Sequence, residues 1–298
     1  MFAPGGEGEH VGGAHRVAQA WELAKIVQEK SERGRHVILT GDFNSQPQSI
    51  IMRMLLHGGT LHDAWAETHP APPSIDSAAH RQLDPHEVIH RHGITCDSPI
   101  NTYSAAKLAK RSPRDETVTR GGKRLDYVLY RSPEQAEHVL KAVESNVVLT
   151  EIVPSLGVSY SDHFAIEATL SLVSATSVSS DTRYESKTPT QISSEDVTRA
   201  LANLSSAYRL CLKNSAFQLR LFGLALVLIP ALSIAASYQP FRGALSWFFV
   251  VLAVADGAFG ATMLYTGFVG GNWEKGALRN VIAEMENELD RRRSIERN

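Results

Sequence analysis

Cysteine is nearly absent from this chain of 298 residues: Cys96 and Cys211 are the only two, and they stand far apart. Two distant thiols, neither in a CxxC pair, exclude a disulfide framework and a thiolate zinc site, and they point to a reducing compartment. A large net charge is missing too. At −2, the chain has no overall basic field to hold nucleic acid non-specifically, so no nucleic-acid partner is expected. The first ten residues lack the basic and apolar stretches of a signal peptide and read instead as a Gly-rich loop leading into a helix. In the last third, what is scarce is charge. Residues 221–237 carry none over 17 positions, and residues 244–269 carry only Asp256 over 26.

The pattern predicts a mixed α/β domain over residues 1–172. A helix at 14–33 shows an apolar stripe of Val17, Ala20, Trp21, Ala24, Ile26 and Val27. A buried strand is expected at 36–40 and a helix at about 47–57 with Pro47 near its first turn. Residues 70–98, rich in Pro, Asp and His, read as a long loop. Further strands are expected at 124–130, 145–150 and 165–172. Residues 173–194 are Ser/Thr-rich and read as a flexible linker.

A juxtamembrane helix over 195–218 then carries Val197, Leu201, Leu204, Tyr208 and Cys211 at heptad spacing. The two charge-poor runs predict transmembrane helices at 219–238 and 244–270, followed by a C-terminal amphipathic helix at 272–298 with Leu278, Ile282, Met285 and Leu289. Buried core helices are the alternative for those runs. A hairpin puts both flanks on one side of the membrane. The flanks hold Arg209, Lys213, Arg220, Lys275, Arg279 and Arg291 to Arg293, against Arg242 in the loop, so both termini are expected in the cytosol. The two heptad stripes are expected to pack as an antiparallel pair. Asp256 either makes an oligomer or lipid-headgroup contact or sits in a helix seam with Gly257 and Gly260; a homo-oligomer through the hairpin would follow from the first reading.

Three polar motifs stand where strands should meet loops: Gly41-Asp42-Phe43-Asn44, Leu125-Asp126-Tyr127-Val128 and Ser161-Asp162-His163. Each alone is commonplace, as a turn former, a helix cap or a paired carboxylate. Together they offer a carboxylate to orient water, an amide to donate to a charged oxygen, a carboxylate for a hard cation, and a histidine with an aspartate to hold its tautomer.

In that order, these motifs resemble the endonuclease/exonuclease/phosphatase superfamily. The block from Ala14 to Ala24, with His15, Arg16 and Trp21, is similar to neutral sphingomyelinases. Ile94-Thr95-Cys96-Asp97-Ser98, followed by Asn101-Thr102-Tyr103, looks like the fungal inositol phosphosphingolipid phospholipases C. The resemblance implies the C-terminal part of a four-layered, DNase I-like α/β sandwich followed by a two-helix transmembrane hairpin. It implies a Mg2+-dependent, membrane-anchored phosphodiesterase that cleaves sphingolipid headgroups. Asp42 and Asn44 would be the water-activating and phosphate-contacting pair, His163 the acid/base histidine with Asp126 as its partner, and Asp162 a metal-site carboxylate. His15 and Arg16 match a block near the substrate.

The same resemblance implies an Asn, a metal-binding Glu and a further His on strands that come before residue 1. Little or no catalysis is therefore expected from this chain alone, with uncovered apolar faces on the sandwich. A soluble DNA nuclease of the same superfamily and a non-catalytic membrane-bound remnant stay open as alternatives. Seven basic residues between 107 and 124, among them Lys107, Lys110, Arg111 and Arg114, are either a solvated loop or a patch for anionic phospholipids and the substrate headgroup.

Overall fold

A computed structural model describes residues 1, 11–69, 84–178, 192–238, 243 and 245–296. The chain divides into two compact units, one built mainly of His15–Ala200 and the other mainly of Leu201–Asn298. The Gly-rich start, residues 70–83 of the long loop, most of the Ser/Thr-rich linker and the centre of the hairpin loop lie outside the described residues.

In the first unit, α1 (Val11–Glu32) buries Val17, Ala20, Ala24 and Val27, one face at helical spacing. Ile26 departs from the predicted stripe and is exposed. β1 (Val37–Asp42) follows, then α2 (Ile50–Gly59). Pro47 stands outside α2. The N-cap is Ser49, whose hydroxyl accepts from the Met52 amide at 3.2 Å, and Thr60 closes the helix in the left-handed region. β2 (His62–Asp63) leads into the short α3 (Ala64–Thr68), which Asp63 caps.

The expected loop to residue 98 instead contains a helix, α4 (Pro85–His92). Asp84 caps its start, Pro85 occupies the first turn, and Gly93 ends it with a left-handed φ of 65°. α5 (Thr102–Leu108) and a single turn, α6 (Glu116–Thr119), come next.

β3 (Asp126–Arg131) is the centre of a three-stranded antiparallel sheet, ordered β1-β3-β2. β4 (His138–Val148) starts well before the predicted residue 145 and pairs antiparallel with β7 (Ala165–Ser174). Its register shifts between Ala142 and Glu144, a bulge that leaves Val143 exposed and hides the strand's alternation from sequence. A small hairpin of β5 (Ile152–Val153) and β6 (Val158–Ser159) lies between them, and the turn α7 (Ala175–Val178) follows β7.

Two clusters of buried side chains lie between the strands and α3 and α4 among the described residues. Trp65, Val88, Ile89, Ile94, Val147 and Phe164 form one; Ala64, Val128, Tyr130 and Ala142 form the other. Tyr130 ties the two sheets together, because its hydroxyl accepts from the Ala142 amide at 3.0 Å. Among the described residues the sheet faces are incompletely covered: Ile38 on β1 is 56% exposed and Leu172 on β7 is 61% exposed.

α8 (Ser194–Ser237) is one continuous helix of 44 residues, so the predicted juxtamembrane and transmembrane segments are not separate elements. α9 (Ser246–Leu264) runs through a π-helical segment (Tyr265–Gly270) into α10 (Gly271–Glu296). Both long helices are long and apolar enough to cross a membrane. Only 6% of each apolar window is buried within the described residues.

Within the second unit, two glycines stand close to α8. A Cβ on Gly260 would stand 3.0 Å from Ala225 Cβ, and one on Gly267 would stand 2.9 Å from Gln218 Cβ. The Ser215 hydroxyl donates to the Gly267 carbonyl at 2.6 Å. A Cβ on Gly257 would meet no other atom within 4 Å among the described residues, so it stands outside this seam. The buried stripe is Leu204, Ala207, Cys211 and Ser215 on α8 and Leu278, Val281, Met285 and Leu289 on α10. It replaces the predicted Leu201, Tyr208 and Ile282, which are half-buried, since steps of 3, 4 and 4 follow the straight-helix period more closely than a heptad does.

Candidate active site

The antiparallel register of β1 and β3 sets Asp42 directly opposite Asp126. Cross-strand partners have side chains on one face, with Cβ atoms roughly 5 Å apart, and like charges there destabilise the pair. Two carboxylates placed in this way fit a cation between them.

Asp42 is held by Asn44. The Asn44 amide N–H donates to Asp42 Oδ1 at 2.7 Å, and its side-chain nitrogen donates to Asp42 Oδ2 at 2.8 Å. Asn44 achieves this with a φ of 49°, a conformation that Asn tolerates better than most residues. Its side chain also donates to the Met1 carbonyl at 3.1 Å. In this geometry Asn44 positions Asp42.

The third motif joins them. Nδ1 of His163 lies 2.8 Å from Asp126 Oδ2, and because an ionised carboxylate only accepts, Nδ1 carries the proton. Asp42, Asp126 and His163 present ligand atoms that all lie within 4.8 Å of one another. The Asp126 carboxylate holds His163 in its charged form and pushes its pKa up to about 11; the Cys96 thiol adds to this and burial opposes it.

A frame that sequence reasoning left without a role carries this pair. The Thr95 hydroxyl accepts from the amides of Leu125 at 3.1 Å and Asp126 at 3.3 Å, while the Thr95 carbonyl accepts from Phe164 at 2.7 Å. Asn101, 1% exposed, donates from its side chain to the Ser161 carbonyl at 2.9 Å. Thr102 and Ser159 exchange two further hydrogen bonds. The residues one place before Asp126 and two places before His163 are therefore both pinned. The sequence signal was the family-like block of Ile94 to Ser98 and Asn101 to Tyr103, which carried a resemblance but no residue roles.

The other expected site residues stand elsewhere. Asp162 is exposed, accepts from its neighbour Ser161 at 3.2 Å, and is outside the three-residue cluster. His15 is half-buried and Arg16 is 1% exposed, both on α1. The basic stretch is largely paired internally. Lys107 and Lys123 share the buried Asp97, at 3.3 and 3.2 Å. Arg111 pairs with Asp115 at 3.4 Å, and Arg124 forms a buried bridge to Asp63 at 2.7 Å. Lys110 and Arg114 are exposed. Burial raises the Asp97 carboxyl, but Lys123 and then Lys107 outweigh it, and the net displacement is downward.

A family profile described as "Endonuclease/Exonuclease/phosphatase family" matches residues 5–163, which include all three motifs. The chain belongs to this family. As a member of the endonuclease/exonuclease/phosphatase family, it has the mixed α/β, DNase I-like fold that the resemblance implied, with two long apolar helices after it.

Its relatives act on sphingolipids by name. "Inositol phosphosphingolipids phospholipase C" of Schizosaccharomyces pombe is 38% identical over 173 residues, covering 58% of this chain and 38% of the relative. The Saccharomyces cerevisiae protein of the same name is 35% identical over 159 residues, covering 53% and 30%. Human "Sphingomyelin phosphodiesterase 2" is 33% identical over 157 residues, covering 53% and 31%. The chain thus spans about a third of the length of the curated relatives it matches.

Proposed function

We propose that this chain is part of a membrane-anchored, Mg2+-dependent phosphodiesterase that hydrolyses sphingolipid headgroups. The carrying observation is the Asp126–His163 hydrogen bond beside a second carboxylate, Asp42, in a family whose named relatives cleave sphingolipid phosphodiesters. The donor chemistry fits a hard divalent cation, since Asp42 and Asp126 offer carboxylate oxygens side by side and would hold Mg2+. When bound, the ion would neutralise phosphate oxygens and stabilise the charge that develops on them.

This chain's own residues do the rest. Asp42, its orientation fixed by Asn44, orients the attacking water and takes its proton. His163, its ring fixed by Asp126 at 2.8 Å, donates a hydrogen bond to a phosphoryl oxygen; removing such a donor typically costs on the order of 3 kcal/mol of barrier. Water adds across the phosphorus–oxygen bond to the lipid, giving ceramide and the phosphorylated headgroup.

The hairpin supplies the anchor. Trp247 and Tyr265 on the continuous second helix are 66% and 65% exposed. Their spacing of 18 residues corresponds to about 27 Å, close to the thickness of a bilayer's hydrocarbon core. Both flanks then lie on the side with most Lys and Arg, the cytosolic side.

The test is Mg2+-dependent headgroup release from sphingomyelin and inositol phosphoceramide, measured in membranes of cells expressing the gene. His163→Ala and Asp42→Ala are expected to remove most release without moving the protein off the membrane. Release unchanged by His163→Ala would overturn the reading.

A further inference from the structure

The β1–β3 register runs from Asp42 opposite Asp126, at the candidate active site, to Val37 opposite Arg131. The two ends are separated by roughly 17 Å along the strands. At the far end lies a cavity of about 440 Å³. The end of α1 lines it with Ser31, Glu32 and Gly34, and the segment closing β3 lines it with Arg131, Pro133 and Glu134. A space of this order holds a small molecule.

Arg131 is 7% exposed, and burying a guanidinium is costly unless its donors are matched. Here they are not. Of its five N–H groups, one donates from Nη1 to the Gly59 carbonyl at 2.8 Å. Nη2 lies 3.9 Å from Glu134 Oε1, too far for a hydrogen bond, and the Glu134 side chain is 88% exposed. The remaining N–H groups have no other hydrogen-bond partner among the described residues. No nitrogen of Arg131 is sealed off as a buried orphan, so its spare donors meet open space, and the cavity is the space that Arg131 lines. The backbone beside it is fixed. The Ser132 carbonyl accepts from the Ser31 hydroxyl at 3.3 Å, and the Ser132 hydroxyl accepts from the Leu140 amide at 2.7 Å.

The rest of the lining has the opposite sign. Glu32 and Glu134 are both exposed. α1 ends at Glu32, and a helix C-terminus carries roughly half a negative charge. Two carboxylates and a helix end against one guanidinium leave an excess of negative charge, so a bare oxyanion is a poor match. A ligand that carries both signs satisfies all of these groups.

We propose that this cavity binds a small zwitterion, with its oxyanion on Arg131 and its ammonium on Glu134 and Glu32. Paired carboxylate or phosphodiester oxygens fit the planar guanidinium fork. Glu134, mostly exposed and not hydrogen-bonded to Arg131, is free to take the ammonium. Free amino acids and the ethanolamine phosphodiester of a lipid headgroup share this chemistry. The site is separate from the phosphodiesterase site, and its test involves no hydrolysis.

The experiment measures binding of L-alanine, glycerophosphoethanolamine, propionate and ethylamine by calorimetry, with the full chain in detergent micelles. Propionate and ethylamine are alanine with one charged group removed. At least one of the two zwitterions is expected to bind about tenfold tighter than either single-charge probe, and the tighter zwitterion identifies the source as a free amino acid or a headgroup. Arg131→Lys keeps the cation but loses the fork, and should weaken that zwitterion about tenfold. Glu134→Gln should weaken it severalfold and leave propionate no weaker. Thermal midpoints check the fold; if Arg131→Lys lowers the midpoint, the exposed Glu134→Gln decides alone.

Propionate or ethylamine binding as tightly as the zwitterions overturns the proposal. So does the absence of zwitterion binding at millimolar concentrations. A zwitterion affinity unchanged by Glu134→Gln overturns it as well, because the ligand would then sit elsewhere.

Discussion

The Thr95 hydroxyl accepts a hydrogen bond from the Asp126 amide at 3.3 Å, and Thr95 itself is fully buried. The same oxygen serves Leu125, and the Thr95 carbonyl serves Phe164, so one residue fixes the backbone beside both members of the Asp126–His163 pair. Thr95→Val keeps the shape and removes the acceptor. It should cost about 1–3 kcal/mol of stability through two buried amides left unpaired. It should also broaden or remove the downfield proton resonance of His163 Nδ1–H. Thr95→Ser keeps the oxygen and should restore that resonance. A merely steric role for Thr95 would give the opposite ranking of the two variants.

Much of the site was legible because its parts are short motifs at strand ends. Asp42, Asp126 and His163 could each be named from the residue types around them. Their meeting could not, because it depends on the β1–β3 register that sets Asp42 against Asp126, and register is a property of pairing between distant segments. The same limit explains β4, where a bulge at Val143 interrupts the alternation. α4 is a different case. Asp84, Pro85 and Gly93 are ordinary start and stop signals, and they were masked by the Pro- and His-rich composition around them. Basic residues in 107–124 suggested a lipid patch, but Asp63, Asp97 and Asp115, the first of them far away in sequence, pair with four of them.

Arg124 and Asp63 are 8% and 7% exposed at the side chain and lie 2.7 Å apart. Asp63 also caps α3, and Arg124 lies over the Tyr127 ring at 4.7 Å. Arg124→Met would leave a buried carboxylate uncompensated, and the expected loss is about 3–5 kcal/mol. A urea titration followed by tryptophan fluorescence measures it. Removing Asp63 as well should recover part of the loss, because the stranded charge goes with it.

Glu67 gives the first unit a pH-dependent joint. Burial raises its carboxyl, but hydrogen bonds from His62 and Tyr130 outweigh burial and bring it below the ordinary range. A group whose folded-state value is depressed contributes stability that is fully present above its unfolded value and lost as the pH falls through the folded value. The stability difference between the protein and Glu67→Gln should therefore be largest above about pH 5 and shrink below about pH 4. Thermal melts at stepped pH test this; a difference that grows on acidification would contradict it.

Two glycines on the second apolar stretch make a matched comparison. A Cβ at Gly267 would meet Gln218 Cβ at 2.9 Å and the Ser215 carbonyl oxygen at 3.2 Å, whereas one at Gly257 meets nothing within 4 Å. Gly267 also offers its carbonyl to the Ser215 hydroxyl at 2.6 Å, so separating the helices there would break a polar contact as well as packing. Gly267→Val should lower the thermal midpoint of the hairpin in detergent micelles by several degrees, read by circular dichroism. Gly257→Val should leave it nearly unchanged, since valine is tolerated where it faces lipid. Equal losses from both substitutions would mean that helix propensity, rather than the close approach of α8 to the π-helical segment, determines the hairpin's stability.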